Sequence, residues 1–330
     1  MADPRLDVLG IGNAIVDVLT HADDSFLKKN DLAKGAMTLI DAARAEQLYE
    51  RMGPGLECSG GSAANTIAGV ASLGGKAGYI GKVRDDALGQ VFGHDIRALG
   101  VEFTTPKATQ GAATARCLVM VTPDAQRTMQ TFLGACIGLT PEDIDPAMVT
   151  AAKVTYLEGY LWDPPQAKLA FRKAMALAHG ADRKVALTLS DPFCVDRHRE
   201  EFRDLVENHV DILFANEAEI ISLYQVKDFD AALQQARKLN RICALTRSAR
   251  GSVVVHRNEI HVIDAAPVAQ VVDTTGAGDL YAAGFLYGLT HGLGLADCGR
   301  LAGLCAAEII SHIGARPQRP LRELGGAYIG

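Results

Sequence analysis

Lys153-Val154-Thr155-Tyr156-Leu157, Val185-Ala186-Leu187-Thr188-Leu189, Ile212-Leu213-Phe214-Ala215 and Ile242-Cys243-Ala244-Leu245-Thr246 are apolar runs of strand length, and each is separated from the next by an amphipathic stretch. The first gap carries a helical pattern over Pro165–His179 and the second over Asp196–Asn208. The third carries two shorter patterns, near Glu217–Tyr224 and over Phe229–Leu239. Two parallel strands cannot be joined by a tight turn, so strand and helix alternating at this spacing predict a parallel sheet with helices on both faces.

Outward from that block the rhythm changes. Upstream, Leu6–Gly12 reads as a strand ending in glycine, and Ile15–Thr20, Ala36–Ile40 and Val101–Thr105 as short strands. Helical patterns lie over Ser62–Leu73 and Asp86–Leu99, and Ala113–Thr122 and Thr128–Leu133 predict two strands joined by the polar turn Pro123–Arg127. Downstream, Ser252–His256 and Ile260–Asp264 read as strands, ahead of helices over Ala277–Thr290 and Leu295–Ile313. No repeat or linker divides the chain. The expectation is one α/β domain over residues 1–330, with a small β-sheet lid formed by segments within about 13–40 and 101–135.

Bulk composition fits an ordinary globular protein that buries a sizeable core. The 330 residues are 48% hydrophobic and 22% charged, and the net charge of −6 gives no basic surface for nucleic acid. Seven cysteines without a C-x-x-C pair argue against a disulfide framework or a zinc site and make the cytoplasm the default address. No apolar run approaches the ~18 residues that span a membrane. Nothing in the sequence separates a monomer from a homodimer.

The chemistry concentrates in Asp273-Thr274-Thr275-Gly276-Ala277-Gly278-Asp279, which runs into Leu280-Tyr281-Ala282-Ala283-Gly284-Phe285-Leu286. The second part is apolar all round and predicts a buried helix. The first amides of a helix lack intrahelical partners and sit at its positive end, and here no large side chain blocks them. Gly276, Ala277 and Gly278 thus predict an anion hole. A plain alternative is that Asp273 or Thr275 caps a core helix. Asp279 favours the first reading, because a carboxylate beside such amides can take a proton while they hold a transferring phosphoryl group.

Near the front, Gly10-x-Gly12 lacks the third glycine of a dinucleotide-binding loop, and no Walker motif occurs anywhere. Gly12-Asn13-Ala14-Ile15-Val16-Asp17 sets an amide and a carboxylate among apolar residues. A carboxylate can accept from both hydroxyls of a diol, so Asp17 either binds a sugar or satisfies a turn. In Ser59-Gly60-Gly61-Ser62-Ala63-Ala64-Asn65 the small residues admit either a ligand or tight packing, with Ser62 as a helix cap and Asn65 one turn further on.

Together these segments resemble the ribokinase-like (PfkB) family of carbohydrate and nucleoside kinases. Asp273–Asp279 matches the D-T-x-G-A-G-D signature in full, and Gly60–Asn65 with Leu73–Gly75 and Gly81–Gly89 matches the glycine-rich one. Asp24–Leu27, Tyr156–Tyr160, Leu187–Phe193 and Val210–Glu217 look like its adenosine kinase branch. The resemblance implies a ribokinase-like fold, MgATP as donor and a nucleoside or a free sugar as acceptor; a catalytically silent sensor on the same fold is the remote alternative. It implies Asp279 as base and the amides of Gly276, Ala277 and Gly278 as anion hole. Asn13, Asp17, Gly60, Gly61, Ser62 and Asn65 correspond to the ribose site, and Leu133, Ala135 and Tyr160, with Leu39 and Leu161, to the base pocket. Asn216 and Glu219 correspond to an N-x-x-E motif that organises Mg²⁺, and Thr246, Arg247 and Gly251 to a nucleotide-contacting turn. Arg127 is either phosphate-facing or a solvated turn residue.

Overall fold

The computed structural model describes residues 3–124, 126–326 and 328. Its strands in chain order are β1 (Leu6–Ile11), β2 (Ile15–His21), β3 (Met37–Leu39), β4 (Leu56–Gly60), β5 (Ala77–Ile80), β6 (Glu102–Phe103) and β7 (Ala115–Val121). They continue with β8 (Arg127–Phe132), β9 (Ala152–Glu158), β10 (Lys184–Thr188), β11 (Ile212–Asn216), β12 (Ile242–Thr246), β13 (Ser252–His256) and β14 (Glu259–Ile263).

Nine of these build one sheet in the order β14-β13-β12-β11-β10-β9-β1-β5-β6. From β6 to β12 every neighbouring pair is parallel, and the β13–β14 hairpin adds an antiparallel edge. The alternation of side chains along each strand explains why helices cover both faces. Val8, Tyr156, Ala186 and Phe214 point into a core shared with the helices Ser62–Ser72, Ala277–Thr290 and Leu295–Ile309. Their neighbours Leu9, Leu157, Leu187 and Leu213 point the other way, toward the helices Pro165–Gly180 and Pro192–Asn208.

The remaining strands form a second sheet, β3-β8-β7-β2-β4. Two strands depart from expectation. Glu102–Phe103 joins the edge of the large sheet beside β5, and Leu56–Gly60, which has no strand-like apolar alternation, pairs antiparallel with β2. Of the polar turn Pro123–Arg127, Ala125 lies outside the described residues, and Arg127 is already the first residue of β8.

Order in the large sheet reverses at β1, which has β9 on one side and β5 on the other. Ligands of open α/β sheets bind beyond the carboxyl ends of the strands at such a switch point. Here Asn13 and Glu158 follow β1 and end β9, and the helix Ala277–Thr290 starts nearby. That helix buries Leu280 through Gly288 and packs directly on the helix Ser62–Ser72. The approach is close because Gly69 has no side chain; a Cβ there would lie 2.6 Å from the Ala283 Cβ. Burial of Phe285, edge-on to Phe214 of the large sheet, contributes ~2–3 kcal/mol to seating the helix Ala277–Thr290. The packing brings the two helix starts, and therefore Ser62 and Asp279, together.

Candidate active site

At the start of the helix Ala277–Thr290 the N-cap is Gly276, in the left-handed region at φ 78°, and no side chain caps it. Neither Asp273 nor Thr275 has the capping role. Asp273 instead shapes the approach, its Oδ1 accepting from Thr275 N at 3.0 Å and its Oδ2 from Gly314 N at 3.0 Å. Gly276 packs on Ala315, whereas a Cβ on Gly278 would meet nothing within 4 Å. Ala277 N donates to Thr274 O at 3.2 Å, so this amide of the expected anion hole is engaged by the turn. Among the described residues the amides of Gly276, Gly278 and Asp279 have no acceptor.

Asp279 is half-buried at this helix start. Ser62 Oγ donates to its Oδ1 at 2.6 Å and Asn65 Nδ2 to its Oδ2 at 3.0 Å. Burial raises its pKa above the ordinary value, against the pull of those two hydrogen bonds and of the Arg316 charge. Ser62 is not the cap of its own helix, since Gly61 holds that position without a side-chain bond. Ser62 Oγ–H and one N–H of Asn65 thus go to Asp279, while Asn65 Oδ1 is buried without a partner.

Asp17 lies mid-strand in β2, so the turn reading fails. Its register partner on β4 is Cys58, and at Gly60, which pairs with Ile15, any Cβ would collide with the Asp17 carboxylate. Gly61 is likewise held to glycine, by φ 95° and contact with Asn13 O. Among the described residues no protein group donates to the Asp17 carboxylate. Burial pushes it up to about 6, with Arg316 and Arg127 opposing and Asp279 adding to the rise. A half-buried carboxylate without a donor is costly unless a ligand supplies one.

Sequence reading missed Glu158. It ends β9, is 1% exposed, and accepts from Ala63 N at 2.8 Å, Asn13 Nδ2 at 2.8 Å and Asn13 N at 3.3 Å. It therefore caps the helix Ser62–Ser72 from another element and fixes Asn13. Burial pushes it up to about 7 despite these donors. A carboxylate closing an otherwise apolar strand was the available signal.

The other expected residues scatter more. Arg127 is not solvated: its side chain is 8% exposed, Nη1 lies 2.6 Å from Asp273 Oδ2, and Nε is buried without a partner. Leu133 is half-buried, Ala135 is buried with its amide on Ala113 O, and Tyr160 is half-exposed with its amide on Ser190 Oγ. Leu161 is fully buried in the opposite core and cannot line a pocket. Leu39 is exposed on the small sheet.

Beyond the ends of β11 and β12, Asn216 and Glu219 form a reciprocal capping box for the helix Glu217–Tyr224. Asn216 Nδ2 donates to Glu219 Oε1 at 2.6 Å and Asn216 N to Oε2 at 3.0 Å, and burial pushes Glu219 up to about 7. Thr246 pairs laterally with Asn216. Arg247 lies 4.0 Å over the Phe229 ring and 3.5 Å from Glu217. Gly251 is required by the fold, since a Cβ would strike Ile263 O.

A half-buried helix start with free amides, beside an oriented carboxylate at a switch point, is an arrangement for phosphoryl transfer. Comparison with known proteins agrees, since residues 39–322 match the model of the pfkB family carbohydrate kinases. The chain belongs to that family. As a pfkB family member it is an ATP-dependent kinase acting on a hydroxyl group. It is 53% identical to an adenosine kinase of Sinorhizobium meliloti of known structure, with a TM-score of 0.90 over 98% of this chain and 99% of that one. A probable sugar kinase from Rhizobium etli CFN 42 is 52% identical, with a TM-score of 0.91 over 98% of each chain. Adenosine kinase 1 of Arabidopsis thaliana is 26% identical over 95% of this chain and 96% of its own. Among the described residues no helix is long and apolar enough to cross a membrane.

Proposed function

We propose that this pfkB kinase phosphorylates the 5′-hydroxyl of a ribonucleoside, with adenosine as acceptor and AMP as product. The observation that carries the reading is the pairing of two carboxylates with different surroundings. Asp279 is held by Ser62 and Asn65 at the amide-bearing helix start, and Asp17, whose own pKa Asp279 is near enough to raise, has no protein donor. Asp17 accepts from the ribose hydroxyls, with Asn13, Gly60 and Gly61 shaping the floor. Asp279 receives the proton of the attacking hydroxyl.

In a loose transition state that hydroxyl acidifies only as the O–P bond forms, so the base acts late. Such positioned acceptance is worth ~10²–10⁴ in rate. The free amides of Gly278 and Asp279 meet the charge on the transferred group, and a pKa raised by burial makes Asp279 a better acceptor. Leu133, Ala135 and Tyr160 border the base, while Thr246, Arg247 and Gly251 border the nucleotide of ATP.

Mg²⁺ is the expected companion of ATP. Among the described residues no group of three His, Cys, Asp or Glu side chains can hold a metal ion, and Glu219 is bonded by Asn216 at both oxygens. That donor set suits an ion held mainly by phosphates and water, with Asn216 and Glu219 engaging its water shell. The bound ion would neutralise phosphate charge. The free, mostly buried cysteines suit a reducing, cytoplasmic setting.

The likeness to a probable sugar kinase favours a free sugar as the second reading. Coupled ADP release across adenosine, inosine, ribose and fructose decides between them. Faster turnover of either free sugar than of both nucleosides overturns the nucleoside reading and leaves the kinase standing.

A further inference from the structure

Three consecutive residues near the C-terminus touch three separate parts of the site. Gly314 N donates to Asp273 Oδ2 at 3.0 Å, Ala315 packs under Gly276, and Arg316 reaches across to the junction of the small sheet with the helix Ser62–Ser72. Its Nε donates to Ser59 O at 2.9 Å, Nη2 to Ser59 O at 2.6 Å and to Ser59 Oγ at 2.8 Å, and Nη1 to Ala64 O at 2.8 Å. Ser59, 1% exposed, is held from the other side by Asp95, which accepts from its amide at 2.7 Å and its hydroxyl at 2.5 Å. The chain leaves β4 at Ser59–Gly60 and enters the helix at Ser62, so this segment joins the small sheet to the helix that orients Asp279.

We propose that Arg316 is a positioning residue for phosphoryl transfer, its guanidinium locking the β4 end at Ser59 and the helix turn at Ala64 to the loop that frames the free amides. The inference rests on the roles given above to Asp17 and Asp279. A planar fork is needed because the two carbonyls lie on different elements, and a single point charge cannot donate to both in fixed directions. The Ser62 and Asn65 side chains that orient Asp279 flank Ala64, so a shift of this turn carries directly to the base.

Charge supports the same assignment. Cys58 on β4, Asp95 on the helix Ala87–Ala98, Asp17 on β2 and Asp279 on its own helix all face Arg316. Asp17 also faces Arg127 on β8, and Asp279 also faces Glu158 on β9. Arg316 is the positive charge common to Asp17 and Asp279, and it lowers the pKa of each.

The test compares Arg316→Gln and Arg316→Lys with the full-length enzyme, using adenosine and MgATP, over a pH series. Arg316→Gln is expected to lower kcat/KM for adenosine by at least ~10-fold, as loss of charged hydrogen bonds does, and to move the acid limb of kcat/KM to higher pH. Arg316→Lys keeps the charge, so its acid limb stays at the wild-type position while kcat/KM still falls. Wild-type kcat/KM in folded Arg316→Gln overturns the proposal, as does an equal loss in both variants with no movement of the limb. Should Arg316→Gln fail to fold, wild-type kcat/KM in Arg316→Lys overturns it alone. Asp279→Asn in parallel keeps the cases apart: if that variant remains active, the reading of the base fails instead.

Discussion

Ser62 Oγ donates to Asp279 Oδ1 at 2.6 Å across 217 positions of sequence, which makes the base a shared product of two helix starts. With Asn65 on the other oxygen, the carboxylate is fixed in the plane and rotation a hydroxyl must meet. Asp279→Asn keeps the volume and one of these bonds but cannot accept a proton late in the transfer. It is expected to lower kcat by ~10² or more with little change in KM for either substrate. A fall smaller than ~10-fold in steady-state kinetics would remove Asp279 from the role of base.

Asp17 predicts a different kinetic signature. Its carboxylate has no protein donor and faces Arg316, Arg127 and Asp279. If it accepts from the acceptor's hydroxyls, Asp17→Ala raises KM for adenosine by ~10-fold or more, the worth of hydrogen bonds to a charged group. KM for ATP should stay within about twofold, since neither the amide loop nor the ends of β11 and β12 are altered. Equal changes in both constants would assign Asp17 to the frame of the small sheet.

Glu158 links the site to stability. Its pKa in the folded chain is about 7 against an ordinary 4.5, raised by burial. Between those values the folded form holds more protons than the unfolded one, so stability falls as pH rises from 4.5 to 7 and then levels. Glu158→Gln is expected to flatten that slope by ~1–3 kcal/mol, read from urea midpoints at pH 5 and pH 7. Asp17 and Glu219 keep a residual slope of the same sign. The variant can fold because Asn13 Oδ1 is buried without a partner, and a flipped Asn13 amide can accept from the new Gln. An unchanged slope would mean that Glu158 is ionised throughout.

What was legible in the sequence follows from what is local. Strands β9 to β12 are almost continuously buried, so their apolar runs and the helices between them stood out, as did the glycine-rich start of the helix Ala277–Thr290. β4 was hidden because its one large apolar residue, Leu56, is 68% exposed and the strand is held by its pairing with β2. Arg127 looked like a turn residue because its partner, Asp273, lies 146 positions away. Arg316 gave no signal at all; its acceptors are backbone carbonyls and a serine more than 250 positions upstream, and a carbonyl leaves no trace in side-chain identity.

The two glycines of the amide loop separate fold from chemistry. At Gly276 the left-handed backbone and the Ala315 contact, 3.0 Å from any added Cβ, both oppose a side chain. Gly276→Ala should therefore lower the melting temperature through ~1–2 kcal/mol of backbone strain plus the clash. Gly278 is helical in backbone and faces open space, so Gly278→Ala costs the fold nothing and can add ~0.5–1 kcal/mol. Its methyl group, however, would stand beside the free amides where phosphoryl oxygens must approach. Loss of an oxyanion-type donor costs ~10²–10³ in kcat, and a comparable fall is expected here with an unchanged or raised melting temperature. Full turnover by a stable Gly278→Ala enzyme would mean that the transferred group does not approach this loop, whatever Asp279 accepts.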